Sequence, residues 1–256
     1  MNGWDLLIAG RRHLLVEIEA YVHSSAHPDP YTHGDEGQLC FGAWYFHKKG
    51  GSYKSGSFKG LDLACGCAGR EVYAGLLVRS VMDAQSSDVT EGPCLVVDRI
   101  LKLTGKSSIA DLVAGRAAAQ LPADGLQGQL QLVSAAAPRN ARLWKAPRVG
   151  LVLREEGAGA THSEGRPVQF CARCYRFSTV PQRLRKWRVG FAAAAYLAGD
   201  EEAAHRLGLP KCRLQEYFSA VDAGVTHSDP RRFVGKKLVA QADLCEVLGA
   251  SQSSLR

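Results

Sequence analysis

LLVEIEAYVHSSAHPDPYTHGDEGQLCFGAWYFHKKGGSYKSGSFKGLDLACG, Leu14–Gly66, decides how the chain is read. It opens with Leu14, Val16, Ile18 and Ala20 on one face and Glu17, Glu19 and Tyr21 on the other. That period of two is what a half-buried β-strand requires, with one face for the core and one left for polar chemistry. Pro28, Pro30 and Gly34 make His23–Gly37 an irregular loop. Phe41–His47 and Tyr53–Phe58 read as the arms of a hairpin across Lys48-Lys49-Gly50-Gly51, and Gly60–Cys65 as a further strand.

Outward from this stretch, Trp4–Ala9 and Arg12–Tyr21 are apolar runs joined by a tight Gly10-Arg11 turn. Val72–Val81 has the continuous apolar character of a buried strand but ends in Arg79, a charge that is costly there unless something pairs with it. Gly92-Pro93 introduces a helix over Cys94–Leu103, and a second spans Ser108–Ala119. Arg148–Leu153 and Val168–Phe177 resume strand character. Beyond Pro181 alanine, leucine and basic residues dominate, and Ala192–Leu197, Ala203–Leu209 and Leu238–Leu248 carry helical spacing.

Composition sets the outer limits. A chain of 256 residues, 46% hydrophobic, buries a sizeable core. A net charge of +7 favours a polyanionic partner, nucleic acid first and an acidic membrane surface second. No apolar run approaches the roughly 18 residues of a spanning helix. Met1–Gly10 lacks a signal peptide's basic start and cleavage site, so a soluble intracellular protein is expected, in a prokaryotic cytoplasm or a eukaryotic nucleus or organelle. Eight cysteines are too sparse for a disulfide framework and are expected as packed thiols.

Several fragments, in order, resemble the alkyladenine (3-methyladenine) DNA glycosylase family. They are Val16-Glu17-Ile18-Glu19-Ala20-Tyr21, Asp29-Pro30-Tyr31-Thr32-His33, Gly51-Ser52-Tyr53, Gly60-Leu61 and Leu76-Leu77-Val78-Arg79. Glu91-Gly92-Pro93, Pro147-Arg148-Val149-Gly150 and Tyr175-Arg176-Phe177 continue the series, which covers roughly residues 5–180. The resemblance implies an α+β fold: a catalytic domain over 1–180 with a curved, mostly antiparallel sheet flanked by helices. A helical C-terminal extension over 181–256 follows it. It also implies monofunctional base excision from double-stranded DNA by a monomer, with no cofactor, no metal and no covalent intermediate.

Breaking an N-glycosidic bond inside a duplex needs a wedge for the gap, a pocket for the flipped base and a carboxylate to activate water. The resemblance implies Glu19 as that base and Arg79 as the group that positions water and nearby phosphate. Tyr21 and His33 become the walls around the flipped base, Tyr53 a pocket residue and Phe58 the wedge. Lys48, Lys49, Lys54 and Lys59 suit contact with the DNA backbone, with the salt dependence that phosphate neutralisation brings. The chain departs from the family where a small polar residue, Ser55, stands for a second pocket tyrosine and Cys65 or Gly66 for a discriminating asparagine. The loop between Glu19 and His33 is longer and carries His23 and His27. These departures bear on which alkylated or deaminated purine is taken.

Other classes compete. A non-catalytic nucleic-acid-binding protein would keep the scaffold without the reaction. A metal-dependent hydrolase would use His23, His27 and His33 with Asp29 and Glu36. Cys171-Ala172-Arg173-Cys174 and Cys65-Gly66-Cys67 could clasp zinc, although both lie in expected strands, where buried thiols are the simpler reading. Glu201–Leu209 followed by Leu214 resembles a helix-turn-helix segment. The clusters Arg183, Arg185, Lys186, Arg188 and Arg231, Arg232, Lys236, Lys237 would add grip on a phosphate backbone.

Overall fold

The structure, a computed structural model of the chain, describes residues 1–115, 129–153, 167–227, 229–235 and 240–253. The architecture is α+β, with a curled antiparallel sheet and C-terminal helices. Two compact units are present, Met1–Ser24 with Thr32–Arg142, and Ser25–Tyr31 with Leu143–Arg256.

In the first unit, β1 (Trp4–Ile8) and β2 (Arg11–Ser24) are joined through Ala9 and Gly10, whose φ values of 49° and 76° make the mirror-image turn that matches strand twist. The other strands are β3 (Trp44–Phe46), β4 (Lys48–Lys49), β5 (Ser52–Tyr53), β6 (Leu61–Ala64), β7 (Tyr73–Asp83), β8 (Val89–Glu91) and β9 (Leu130–Ser134). They pair antiparallel in the order β9-β1-β2-β7-β6-β3, with β8 beside β7. Helix α1 (Pro93–Thr104) has proline in its first turn and ends on Gly105, at φ 66°, whose N–H caps the Leu101 and Lys102 carbonyls. It lays Val96, Val97 and Ile100 against Leu6, Ile8, Trp44, Phe46, Val78 and Val81, and this is the core. A fully buried aliphatic or aromatic side chain contributes about 1.5–3 kcal/mol.

The expected pairing of Phe41–His47 with Tyr53–Phe58 is corrected. Trp44, Tyr45 and Phe46 pair instead with Leu63, Asp62 and Leu61. Lys48 and Lys49 pair with Tyr53 and Ser52 in a separate small ribbon. Two consecutive left-handed glycines, Gly50 at φ 56° and Gly51 at φ 81°, confine that ribbon to a short turn, and the chain then passes into a 3-10 turn, Gly56–Phe58. Helix α2 spans Ile109–Leu112; residues 116–119 of the expected second helix lie outside the described residues.

The second unit has β10 (Trp144–Ala146) paired with β11 (Arg176–Ser178), between them helix α3 (Pro167–Ala172). The expected strands Arg148–Leu153 and Val168–Phe177 are therefore corrected: Gly150, at φ 76°, breaks the first, and half of the second, up to Ala172, is helical, with only Arg176 and Phe177 in a strand. Helices α4 (Val189–Leu197), α5 (Glu201–His205), α6 (Lys211–His227) and α7 (Gln241–Ser253) follow. Val189, Ala193, Tyr217, Val221, Cys245 and Leu248 form their core. Helices α6 and α7 cross closely because Gly224 faces the Glu246 carbonyl and Gly249 the Val221 carbonyl, where no side chain fits. The change in composition at Pro181 and the division between units at Arg142 and Leu143 differ, because β10 packs on α4. Leu238, Lys236 and Lys237 lie outside the described residues.

Candidate functional site

The site grows from a double irregularity between β2 and β7. Leu15 opposes Val81, Glu17 opposes Ser80 and Ile18 opposes Val78, so the register shifts on both sides of Glu17 and passes over Val16 on one strand and Arg79 on the other. Bulges of this kind re-aim a side chain that regular pleating would turn elsewhere. Arg79 Nε lies 3.2 Å from Glu17 Oε1, and its Nη1 lies 3.2 Å from Glu19 Oε2. Tyr21 Oη donates to Glu19 Oε2 at 2.8 Å, and Ser80 Oγ donates to the second oxygen of Glu17. Glu19 and Glu17 are buried, at 0% and 1% exposure, whereas the Arg79 side chain keeps 13%. Burial works against the guanidinium charge; the Glu19 and then the Glu17 carboxylate outweigh it and raise the Arg79 pKa further above its ordinary value.

A second polar cluster lies across the same sheet. Glu19 opposes Leu77, Leu77 opposes Asp62, and Asp62 opposes Tyr45. Directly opposed residues share a sheet face, so Glu19 and Asp62 face the same way with their Cα atoms about 10 Å apart, two strand spacings. Asp62 accepts from Gln38 Nε2 at 3.1 Å and meets His47 Nε2 at 2.8 Å. It leans over Gly75, where a Cβ would come within 2.6 Å of its Oδ2, and Gly75 is the cross-strand neighbour of Tyr21. The Gly75 position thus lets a buried carboxylate approach the Glu19 row.

His33 stands in this second cluster. Its ring meets His47 edge-on at 4.3 Å and Tyr45 at 6.2 Å, and its Nε2 lies 3.2 Å from Lys54 Nζ. His33 is exposed at its outer side, yet packing on the inner side, with the charges of His47 and Lys54, holds its pKa down to about 4. Burial also lowers the Lys54 pKa and raises that of Tyr53. Glu19, Tyr21 and Arg79 are therefore brought together directly, whereas His33 joins a neighbouring group that includes Asp62, His47 and Gln38. Sequence reading missed these three, and only the faint signal of Asp62 in an otherwise apolar strand, Leu61–Ala64, marked them.

Phe58, in its 3-10 turn, is 74% exposed. Around it, Lys48 Nζ lies 5.1 Å above the Tyr53 ring, Lys59 pairs with Asp98, and Lys49 is exposed. A cavity of about 440 Å³ is lined by Tyr53, Lys54, Lys59, Ser107 and Ser108 among others.

The histidines of the metal alternative have ring neighbours. His23 lies 6.5 Å from the Tyr73 ring; His27 packs edge-on against Phe170 at 4.9 Å. Among the described residues no three His, Cys, Asp or Glu side chains are grouped as ligands. The cysteines are free thiols, and burial pushes Cys171 and Cys174 up to about 11. The helix-turn-helix pattern corresponds to α5, a turn at Gly208 (φ 68°) and α6, whose Leu214, Tyr217, Phe218 and Val221 are buried. Among the described residues no helix is long and apolar enough to cross a membrane.

Comparison with known proteins adds a relative. The uncharacterized protein L759 of Acanthamoeba polyphaga mimivirus is 32% identical over 162 residues, covering 59% of this chain and 74% of the viral protein. No protein-family model matches the chain, and no solved structure matches it.

Proposed function

The chain belongs to the family of the uncharacterized mimivirus protein L759, and we propose, from the geometry around Glu19, that it is a base-excision N-glycosylase. It hydrolyses the bond between deoxyribose and an alkylated or deaminated purine flipped out of double-stranded DNA. The observation that carries this reading is the Glu19 carboxylate held by Tyr21 at 2.8 Å and Arg79 at 3.2 Å on adjacent strands. Glu19 takes the proton of the attacking water and its charge favours the oxocarbenium-like sugar, an effect that a dry surrounding strengthens. Arg79, the more exposed member, orients that carboxylate through its Nη1 contact. An exposed Phe58 among lysines is suitable material for filling the vacated base step. Lys48, Lys49, Lys54 and Lys59 supply backbone contacts whose affinity falls with salt.

The complete burial of Glu19 favours a second reading, a nucleic-acid-binding protein on the same scaffold without catalysis. One comparison separates the two. Duplexes carrying hypoxanthine, ethenoadenine or a methylated purine are incubated with the wild type and with Glu19→Gln, and abasic sites are revealed by alkali. The enzyme reading expects base release by the wild type and a drop of about 10²- to 10⁴-fold in the variant, with duplex binding kept. Release at equal rates from both, or none from the wild type, discards it.

A further inference from the structure

We propose that the cavity between the β4–β5 ribbon and the start of α2 is a second binding site, one that takes a nucleoside phosphate on the face of the sheet away from Glu19. Base release plays no part in it, so the site goes beyond the base-excision reading. Position separates the two sites. Tyr45 lies in the Glu19 row, and strand side chains alternate, so its neighbours Trp44 and Phe46 point to the other face, where they join α1 in the core. Tyr53 and Leu101 pack against that core and line the cavity. Ser107, Ser108 and Ala110, where the chain leaves α1 and opens α2, close its far side.

Size and lining name the ligand class. A volume of about 440 Å³ falls within the roughly 300–1,000 Å³ of small-molecule sites, which join an apolar wall to a few fixed polar groups. The wall here is Tyr53, Leu101 and Ile109, one ring and two aliphatic side chains suited to a planar base. Serine hydroxyls suit a sugar, and no Asp or Glu is among the described lining residues, which favours an anion. Lys54 lines the cavity too, but its Nζ donates to His33 Nε2 at 3.2 Å, within the Asp62 group. The phosphate therefore falls to Lys59. That ammonium pairs with Asp98, whose side chain is 48% exposed and which stands one turn before Leu101 on α1. An ion pair open to water is weak, so a phosphate with several charged oxygens takes the place of Asp98.

The turn between α1 and α2 is set before any ligand arrives. Gly105, at φ 66°, ends α1, and the Ser107 N–H and Oγ donate to Asp111 Oδ2 at 2.9 and 3.2 Å. The Asp111 N–H donates to Ser108 Oγ at 3.0 Å. As the acceptor in that bond, the Ser108 hydroxyl keeps its own hydrogen for a sugar or phosphate oxygen. A turn held in this way loses little freedom on binding.

The test uses the full chain and deoxyadenosine monophosphate, with binding read by isothermal titration calorimetry at low salt. Expected are saturable one-to-one binding of the monophosphate and none of deoxyadenosine, which lacks the phosphate. Ala110 is exposed, so Ala110→Trp fills the cavity while leaving the unfolding midpoint in place, and it should abolish binding. Lys59→Gln should weaken binding about tenfold, the usual loss of one charged hydrogen bond. Glu19→Gln should bind as the wild type does. A single-stranded oligonucleotide tells the two sources of such a ligand apart: weaker binding of it by Ala110→Trp assigns the cavity to a nucleotide within a strand, and equal binding assigns it to a free nucleotide. No monophosphate binding by folded wild type, binding that persists in Ala110→Trp, or binding that is lost in Glu19→Gln overturns the proposal. Monophosphate binding by a wild type that releases no base from damaged duplexes would leave the site standing while removing the glycosylase reading.

Discussion

Arg79 and Arg148 are both guanidinium groups facing buried carboxylates, one in each unit, and their surroundings differ in every other respect. Arg148 is 0% exposed in its side chain and grips one carboxylate with two prongs, at 2.6 and 3.1 Å from the two oxygens of Asp29. It also donates to the Phe170 carbonyl at 3.0 Å and lies 5.5 Å from the ring centres of both Tyr31 and Tyr175. Arg79 keeps a 13% opening and gives single contacts to two carboxylates, Glu17 and Glu19. A two-pronged pair between aromatic slabs has one low-energy arrangement and serves the fold. A guanidinium divided between two acids can yield one contact to a substrate and keep the other. The contrast separates residues whose loss should be read in stability from residues whose loss should be read in activity.

The largest expected effect is in the closed pair. Arg148→Ala takes the guanidinium away from the buried Asp29 carboxylate and should cost about 3–5 kcal/mol, seen as a lower urea midpoint. If the midpoint does not move, the pair is not the clamp described. Next comes the α6–α7 crossing. Gly224→Ala or Gly249→Ala drives a methyl group into a backbone carbonyl, and about 1–3 kcal/mol of overpacking should appear in thermal unfolding.

A third expectation concerns acid. Asp83, with 0% side-chain exposure, meets Arg11 at 2.5 Å and Arg99 at 2.6 Å. Burial opposes its charge, but Arg11 and the Ser86 and Gln85 amides outweigh that and hold its carboxyl below the ordinary 3.8. The folded form therefore binds this proton less readily than the unfolded one. The resulting stability is present above about 4 and is lost as the pH falls toward the depressed folded value. Asp83→Asn should flatten the acid limb of an unfolding-midpoint series; an unaltered limb would count against it. The smallest effect on folding belongs to Phe58. Phe58→Ala should move the midpoint by no more than about 0.5 kcal/mol, because an exposed side chain gives up little packing. The same variant should weaken binding to duplex DNA in a gel-shift titration.

Much of the first unit was legible. Alternation in Leu14–Tyr21 and the glycine turn before it mark β1 and β2, and Arg79 in an apolar run announces a buried partner. The bulges were not legible, because a register shift depends on what the opposing strand offers and leaves no mark on a single strand's pattern. Asp62, His47 and Gln38 escaped for the same reason: they meet across chain separations of 15 and 24 residues. Strand character expected over Tyr53–Phe58 ends at Tyr53, because Gly56, at φ 57°, turns the chain. Asp29 and Arg148, 119 residues apart, join Ser25–Tyr31 to the second unit, which no local composition could reveal.

Glu19, Leu77, Asp62 and Tyr45 form a transverse line over four neighbouring strands. Since alternate side chains point to opposite faces, sliding any one strand by a single position would turn its member of the line away. The irregularities flanking Glu17 act as a tooth in a ratchet, because a bulge can engage its partner at only one step. The facing of Glu19 and Asp62 is thereby tied to strand alignment, so a strand slipped by one position would part the two carboxylates.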